Sequence, residues 1–161
     1  MPALPPLAVV DVDGVLADVR HRLHHLDARP PSWPRFFAAA DRDGLLEEGE
    51  RTVRALAEAS EVLYLSGRPE HLREVTVQWL ARHDLPPGEL RLRPEGDHRP
   101  GADLKVRALR DLSRTHTVVV LVDDDPRVLD AARAAGYDVL PATWMGRHRS
   151  LQRAQEDDGV T

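Results

Sequence analysis

The stretch that decides the fold runs from Leu7 to Gly14 and reads Leu-Ala-Val-Val-Asp-Val-Asp-Gly. Its continuous apolar start predicts a strand that is buried on both faces, as in a parallel sheet, and that ends at Asp11. Similar apolar runs follow further along the chain, and the first two of them also end in polar clusters: Val62–Leu65, Val118–Val122 and, shorter, Tyr137–Leu140.

Helical patterns separate these strands, at Glu47–Ser60, Glu70–His83, Asp103–Thr115 and Pro126–Ala135. Strands that alternate with helices of this length predict an α/β fold, with a Rossmann-like parallel sheet flanked by helices and joined by right-handed crossovers. Ligands of such sheets bind at the carboxyl ends of the strands. We therefore expect the functional site where the apolar runs meet polar residues.

The length of 161 residues predicts one domain, which we place at residues 1–146. We expect Asp18–Asp43 to form a short helical or irregular flap, packed down by Trp33, Phe36 and Phe37. Residues 147–161 are highly charged and predict a flexible tail.

The chain has no cysteine and no apolar run long enough to span a membrane, which predicts a cytoplasmic protein. A net charge of −5 argues against nonspecific coating of nucleic acid.

Asp11 and Asp13 lie two residues apart at a strand end, so both can point to the same side. Carboxylates this close have different pKa values unless a cation lies between them, and one can attack while the other moves a proton. Gly14 allows a sharp turn in which backbone amides approach a phosphate. The alternative is an ordinary turn rich in Asp and Gly.

A second acidic cluster, Asp123-Asp124-Asp125, follows another buried strand. Adjacent carboxylates repel one another unless they are solvated or bind a hard cation, and oxygen ligands of this kind suit Mg²⁺. The alternative is a cap for the helix that begins at Pro126, because Asp favours that position.

Two further candidates supply positive charge and hydrogen-bond donors. Ser66-Gly67-Arg68 follows a strand and precedes a helix, where an anion can bind, although Ser66 could equally be a helix cap. Lys105 is the only lysine in the chain. This suggests a position that needs a compact point charge, or a chance survivor in a composition biased toward arginine.

Taken in order, Asp-x-Asp-Gly, Ser-Gly-Arg, Lys and Asp-Asp resemble the four motifs of the haloacid dehalogenase (HAD) superfamily of phosphohydrolases. The resemblance implies a Mg²⁺-dependent phosphatase in which Asp11 is the nucleophile and Asp13 the general acid and base. Ser66 and Lys105 would hold the phosphoryl oxygens, with Gly67 and Arg68 beside them. The metal would be held by Asp11, the backbone carbonyl of Asp13, and one or both of Asp123 and Asp124. Val15 stands where the family often has Thr.

Residues 7–145 resemble more closely the 3'-phosphatase domain of phage-type polynucleotide kinase-phosphatases. The matching residues outside the four motifs are Arg22, Thr76, Trp79, Leu80 and the run from Arg93 to Lys105, which includes Asp97 and Arg99. This resemblance implies that Arg22 and Arg68 contact the substrate phosphate, with Arg93, Asp97 and Arg99 lining the approach. Thr76 and Trp79 could instead be structural. The chain has no GxxxxGK[ST] motif, so we expect no 5'-kinase activity.

The segments between the motifs are too short for a large cap domain, which predicts an open site suited to the end of a polynucleotide. The leading hypothesis is removal of a 3'-phosphate from a nucleic acid. The alternatives are a phosphatase for a small phosphomonoester such as a nucleotide and a catalytically silent binding module. His21, His24 and His25 could bind a metal, but we expect them to face substrate or solvent in the flap.

Overall fold

The computed structural model describes residues 2–159. Its centre is a five-stranded sheet in which all the paired strands are parallel, with the order β5-β4-β1-β6-β7. The strands of this sheet are β1 (Pro6–Val10), β4 (Glu61–Pro69), β5 (Gly88–Arg93), β6 (Thr117–Asp123) and β7 (Val139–Pro141). A separate two-stranded ribbon pairs β2 (Ala17–Asp18) with β3 (Gly44–Leu45). The predicted α/β fold is confirmed.

The helices are α1 (His24–Asp27), α2 (Trp33–Ala38), α3 (Glu47–Ala57), α4 (Arg73–Arg82), α5 (Gly101–Leu112), α6 (Pro126–Ala134) and α7 (Arg149–Glu156). The hydrophobic core has two parts, one on each face of the sheet, because successive side chains of β1 point to opposite faces. Val10 belongs to a cluster that includes Val53 of α3 and Trp79 of α4. Val9 belongs to a cluster that includes Leu109 of α5 and Val128 of α6. The sheet is therefore covered on both faces.

The predicted flap connects β2 to β3 and contains α1, α2 and two short 3-10 turns, Arg20–Arg22 and Ala40–Arg42. Phe36 is fully buried in the core, and Trp33 and Phe37 are partly buried against it, as expected. Because β2 and β3 pair, the two ends of the flap lie side by side.

The structure differs from the sequence predictions at two elements. Strand β5 was not predicted, and it lies at the edge of the sheet beside β4. The segment predicted to be a flexible tail contains α7, with Leu151 and Ala154 almost fully buried in the core cluster of Val10. These two residues are three apart and so share one face of the helix, which gives a charged segment enough apolar surface to pack.

Within residues 2–159, none of the helices combines the length and the apolar character that crossing a bilayer requires.

Candidate active site

Asp11 directly follows β1 at the carboxyl edge of the sheet, and its side chain is almost fully buried. Its backbone N–H donates to the carbonyl of Val122 at 2.9 Å, which keeps the β1–β6 pairing up to this residue. Its Oδ1 accepts a hydrogen bond from the Val12 N–H at 2.8 Å. The central strand of the sheet thus ends in a carboxylate whose position is fixed on both sides.

Gly14 brings the two acidic clusters together. Its φ of +78° lies in the left-handed region, which favours glycine. A Cβ at this position would lie 2.2 Å from Oδ2 of Asp124. The missing side chain is therefore what lets Asp124 approach the turn that carries Asp11 and Asp13.

The acidic triplet Asp123-Asp124-Asp125 divides into a helix cap, Asp125, and two carboxylates that face Asp11. Asp125 caps α6, since its Oδ1 accepts from the Arg127 N–H at 2.9 Å. Asp123 and Asp124 instead turn toward Asp11, and a carboxylate oxygen of each lies within 4.8 Å of the others. In residues 2–159 this is the single group of acidic or histidine side chains with the geometry of a metal site, so His21, His24 and His25 form no such group.

The acidic group has the features expected of a site for a hard cation. Oδ2 of Asp11 and Oδ1 of Asp124 are buried without a hydrogen-bond partner, which is unfavourable unless a cation binds them. Burial raises the pKa of Asp11 to about 7, Lys105 opposes the rise, and Asp123 and Asp13 add to it. The pKa of Asp124 is also well above its usual range, because of burial and the nearby Asp11 and Asp123. These oxygens fit the ligand preference of Mg²⁺.

Lys105 reaches the same carboxylates from α5. Its Nζ lies 2.6 Å from Oδ2 of Asp123 and 3.1 Å from Oδ1 of Asp11, and the side chain is 5% exposed. Burial alone would lower the pKa of Lys105, but the charges of Asp11 and Asp123 more than offset this and raise it. The lysine therefore stays protonated and holds a positive charge against Asp11.

Ser66 and Gly67, in the second half of β4, line a small pocket together with Asp11, Asp13 and Lys105. The other residues that line this pocket are Gly101, Asp125, Val128 and Gln155. Its free space is ≈ 10 Å³, about the volume that one water molecule occupies. Helix α7 supplies Gln155 to the wall of this pocket. A larger cavity of ≈ 690 Å³ lies between the flap and α7 and contains none of these candidates.

Arg22 and Arg68 lie behind Asp13 rather than in the wall of this pocket. Arg68 donates to Oδ1 of Asp13 from Nε at 2.9 Å and from Nη2 at 2.6 Å, and Arg22 adds a longer contact of 3.3 Å. Burial alone would lower the pKa of Arg68, but Asp13 and Asp43 raise it. In this conformation the two guanidinium groups bind protein carboxylates, so direct contact with a substrate phosphate stays a prediction.

Asp43 completes this arrangement and was not identified from the sequence. Its side chain is fully buried, and its two oxygens accept hydrogen bonds from Arg22 and Arg68. Its backbone carbonyl accepts from Nε1 of Trp79 at 2.8 Å, and Nη1 of Arg68 donates to Oγ1 of Thr76 at 3.1 Å. An aspartate in a polar flap gives no sequence signal of burial.

Arg93, Asp97 and Arg99 stabilise the loop before α5. Nη1 of Arg93 donates to the carbonyls of Asp97 and Arg99, at 3.2 and 2.7 Å, and its Nε donates to the carbonyl of Gly67. Arg99 forms an ion pair with Asp97 at 2.7 Å. These contacts link the Ser66-Gly67 segment to the helix that carries Lys105, and a role along the substrate's approach stays a prediction.

Comparison with known proteins agrees with this geometry. The model of the polynucleotide kinase PNKP phosphatase domain matches residues 5–143. Among curated proteins, no match was found.

Among solved structures, two from Pnkp1/Rnl/Hen1 complexes, one of them described as an RNA repair complex, are similar to this chain. They are 26% and 25% identical, each with a TM-score of 0.70. The similarity covers 86% and 88% of this chain but 42% and 47% of those chains, so this chain spans less than half of their length. A haloacid dehalogenase-like hydrolase from Streptococcus pneumoniae is 13% identical, with a TM-score of 0.57, over 98% of this chain and 93% of that one. At that identity the likeness concerns the fold.

Proposed function

Because this chain belongs to the family of polynucleotide kinase PNKP phosphatase domains, and so to the HAD phosphatases, we propose that it removes a terminal 3'-phosphate from a polynucleotide. The reaction would pass through an aspartyl-phosphate on Asp11. The observation that carries the proposal is the setting of Asp11: Lys105 Nζ lies 3.1 Å from its Oδ1, while its buried Oδ2 has no hydrogen-bond partner. The pocket beside it is lined by Ser66 and Gly67.

In the first step, a carboxylate oxygen of Asp11 attacks the phosphorus and the bond from phosphorus to the 3' oxygen breaks. The electron pair of that bond goes to the 3' oxygen, which takes a proton from Asp13. Lys105 and the hydroxyl of Ser66 stabilise the charge on the remaining phosphoryl oxygens. The products are a free 3'-hydroxyl and a phosphorylated Asp11.

In the second step, a water molecule attacks the phosphorus of the aspartyl-phosphate while Asp13 takes its proton. The bond from phosphorus to Asp11 breaks, which releases inorganic phosphate and restores the carboxylate of Asp11. Asp13 ends the cycle protonated, as it began. One carboxyl group therefore serves as the acid of one step and the base of the next.

We propose Mg²⁺ as the cofactor, held by Asp11, Asp123, Asp124 and the backbone carbonyl of Asp13. Bound there, the ion would neutralise charge on the phosphoryl group and on the attacking carboxylate. The orphaned oxygens of Asp11 and Asp124 support this assignment.

A polynucleotide end is favoured as substrate by two observations. Over residues 2–159 the segments between the strands form a flap and single helices rather than a separate cap domain. The similar chains lie in complexes that contain Pnkp1, one of them described as an RNA repair complex.

The absence of cysteine from the sequence fits a reducing compartment such as the cytoplasm.

A small phosphomonoester such as a nucleotide is the second candidate substrate. The net charge of −5 favours it, because a negatively charged protein does not attract a long polyanion.

Steady-state kinetics with a 3'-phosphorylated oligonucleotide and with 3'-mononucleotides test this proposal. We expect kcat/KM to be higher for the oligonucleotide, to require Mg²⁺, and to fall by about 10³ or more in Asp11→Asn, which lacks the nucleophile. Asp130→Asn, at an exposed position on α6, is the control and should retain wild-type activity. A preference of orders of magnitude for mononucleotides would assign the small-molecule function, and full activity of Asp11→Asn would exclude the aspartyl-phosphate.

A further inference from the structure

A cavity of ≈ 690 Å³ lies between the flap and α7 and shares no residue with the pocket beside Asp11. Its volume is within the range of protein sites that hold small organic ligands, about 300–1,000 Å³. The pocket beside Asp11 has ≈ 10 Å³ of free space, so it has no room for a nucleoside. The nucleotides of the proposed substrate therefore need a second surface.

The lining of this cavity carries more positive than negative charge, although the whole chain carries a net charge of −5. Its charged residues are Arg29, Arg149 and Arg153 with Asp27 and Asp158. All three arginines are exposed. Within residues 2–159 the side chains of Arg29 and Arg149 form no hydrogen bond or ion pair, and Arg153 has a single ion pair, 3.7 Å long. These guanidinium groups are available to bind phosphate, which they do with two parallel hydrogen bonds.

Trp33 gives the cavity an aromatic surface. Its ring is stacked on that of Phe37, with 6.2 Å between the centroids and an interplanar angle of 28°, and it packs edge-on against Phe36. The ring is therefore held in one orientation, yet the side chain is only partly buried. A fixed aromatic ring beside unpaired arginines suits a single strand, because bases stack on the ring and phosphates bind the cations.

Helix α7 separates the cavity from the pocket beside Asp11. Gln155 lines the pocket, whereas Arg149 and Arg153 line the cavity. Gln155 and Arg153 point about 200° apart around the helix axis, so the two sites lie roughly one helix diameter apart, 10–12 Å with side chains. Phosphates of a stacked strand are about 3.4 Å apart along its axis, so about three nucleotides cover this distance. A 3' end in the pocket thus has its preceding nucleotides within reach of the cavity.

We propose that this cavity binds the single-stranded part of a polynucleotide substrate, a few nucleotides before the phosphate that is removed: Arg29, Arg149 and Arg153 bind its phosphates, and Trp33 stacks on a base. The proposal rests on the proposed function, which sets the 3' end of the strand at Asp11. Helix α7 begins after residue 143, where the family match ends, so this wall of the cavity is not part of the matched domain.

The experiment compares an oligothymidylate of about eight nucleotides that carries a 3'-phosphate with p-nitrophenyl phosphate, which has no nucleotide to place in the cavity. In the double variant Arg149→Gln/Arg153→Gln, we expect kcat/KM to fall about tenfold or more for the oligonucleotide and to stay within about twofold for p-nitrophenyl phosphate. The matched control is Arg107→Gln/Arg110→Gln, two exposed arginines of α5 that line a different cavity. It should leave both values unchanged.

The salt dependence of binding tests the phosphate contacts directly. The probe is the same oligonucleotide without its 3'-phosphate, and its Kd is measured by fluorescence anisotropy. The slope of log Kd against log salt concentration should be shallower by about 1.4 in the double variant, because each phosphate contact to a single strand contributes about 0.7. An unchanged slope, an equal loss of activity on p-nitrophenyl phosphate, or the same loss in the α5 control would overturn the proposal.

Two substitutions at Trp33 test the stacking. Trp33→Leu should raise the Kd of the oligonucleotide about tenfold, and Trp33→Tyr, which keeps an aromatic ring, should raise it by less than about threefold. Both variants remove the indole from its contacts with Phe36 and Phe37, so the difference between them reports stacking. Equal Kd values in the two variants would count against a nucleic-acid site, and displacement of the oligonucleotide by polyglutamate of equal charge would assign the cavity to an acidic peptide instead.

Failure of the proposed function has a different signature. If wild type hydrolyses 3'-mononucleotides better than the oligonucleotide, the polynucleotide assignment fails, and the cavity proposal fails with it. If wild type prefers the oligonucleotide and the double variant keeps that preference, the proposed function stands and the cavity proposal alone fails.

Discussion

Gly14 meets two separate requirements: its φ is positive, and a Cβ added there would collide with the carboxylate of Asp124. We predict that Gly14→Ala lowers kcat/KM of phosphate-ester hydrolysis by about 10² or more, because the new Cβ displaces the Asp124 carboxylate from the acidic group. The measurement is steady-state hydrolysis together with thermal unfolding.

Gly96 provides the control for that substitution. Its φ of +77° matches the +78° of Gly14, but an added Cβ would have nothing within 4 Å. Gly96→Ala should therefore cost about 1–2 kcal/mol of backbone strain and keep its activity. Equal losses of activity in the two variants would mean that backbone strain, and not contact with Asp124, is responsible.

At the residue level, the sequence could identify the groups that follow strands but not those that support them. Asp11, Ser66 and Asp123 each lie at or next to the carboxyl end of a predicted strand, so topology alone brings them together. Asp43 lies in an irregular flap, and its burial depends on Arg22, Arg68 and Trp79 meeting around it. Such a contact between distant segments leaves no local pattern.

At the level of elements, α7 supplies part of the wall of the pocket beside Asp11. Gln155 lines a pocket with ≈ 10 Å³ of free space, and a phosphate group is larger than a water molecule. If the proposed substrate phosphate enters this pocket, Gln155 or the whole helix has to shift. We predict that Gln155→Ala lowers KM for p-nitrophenyl phosphate by a factor on the order of 3–10, because less of the binding free energy is spent on opening.

Gln152→Ala is the control on the same helix, because Gln152 bonds to Glu156 and Arg147 and does not line this pocket. It should leave KM unchanged. A rise in KM for Gln155→Ala would show instead that the amide binds the substrate.

The missed elements have a physical explanation in their sequences. Strand β5, Gly88–Arg93, alternates apolar Leu90 and Leu92 with charged residues, as expected of an edge strand that is only partly covered. Strands β4, β1 and β6, which lie further inside the sheet, contain continuous apolar runs, which are easier to recognise. Helix α7 has Leu151 and Ala154 as its only apolar residues. Neither pattern shows where the partner surface lies.

At the scale of the whole molecule, the acidic group should make stability depend on both pH and metal. Burial raises the pKa of Asp11, and burial with the nearby Glu156 raises that of Asp125, each from 3.8 to about 7. Between these values the folded protein binds more protons than the unfolded chain. The metal-free free energy of unfolding should therefore fall as pH rises from about 4 to about 7.

Mg²⁺ should reverse this trend, because it stabilises the ionised carboxylates that protons otherwise neutralise. At about 100 times its Kd, the ion should raise Tm by about 5–10 °C at about pH 7.5 and by much less at about pH 5. Thermal unfolding with and without Mg²⁺ at the two pH values measures the effect. Asp124→Asn removes one buried carboxylate, so it should raise the metal-free Tm at the higher pH and abolish the gain from Mg²⁺. An equal gain at both pH values, or a gain that survives in Asp124→Asn, would place the ion elsewhere.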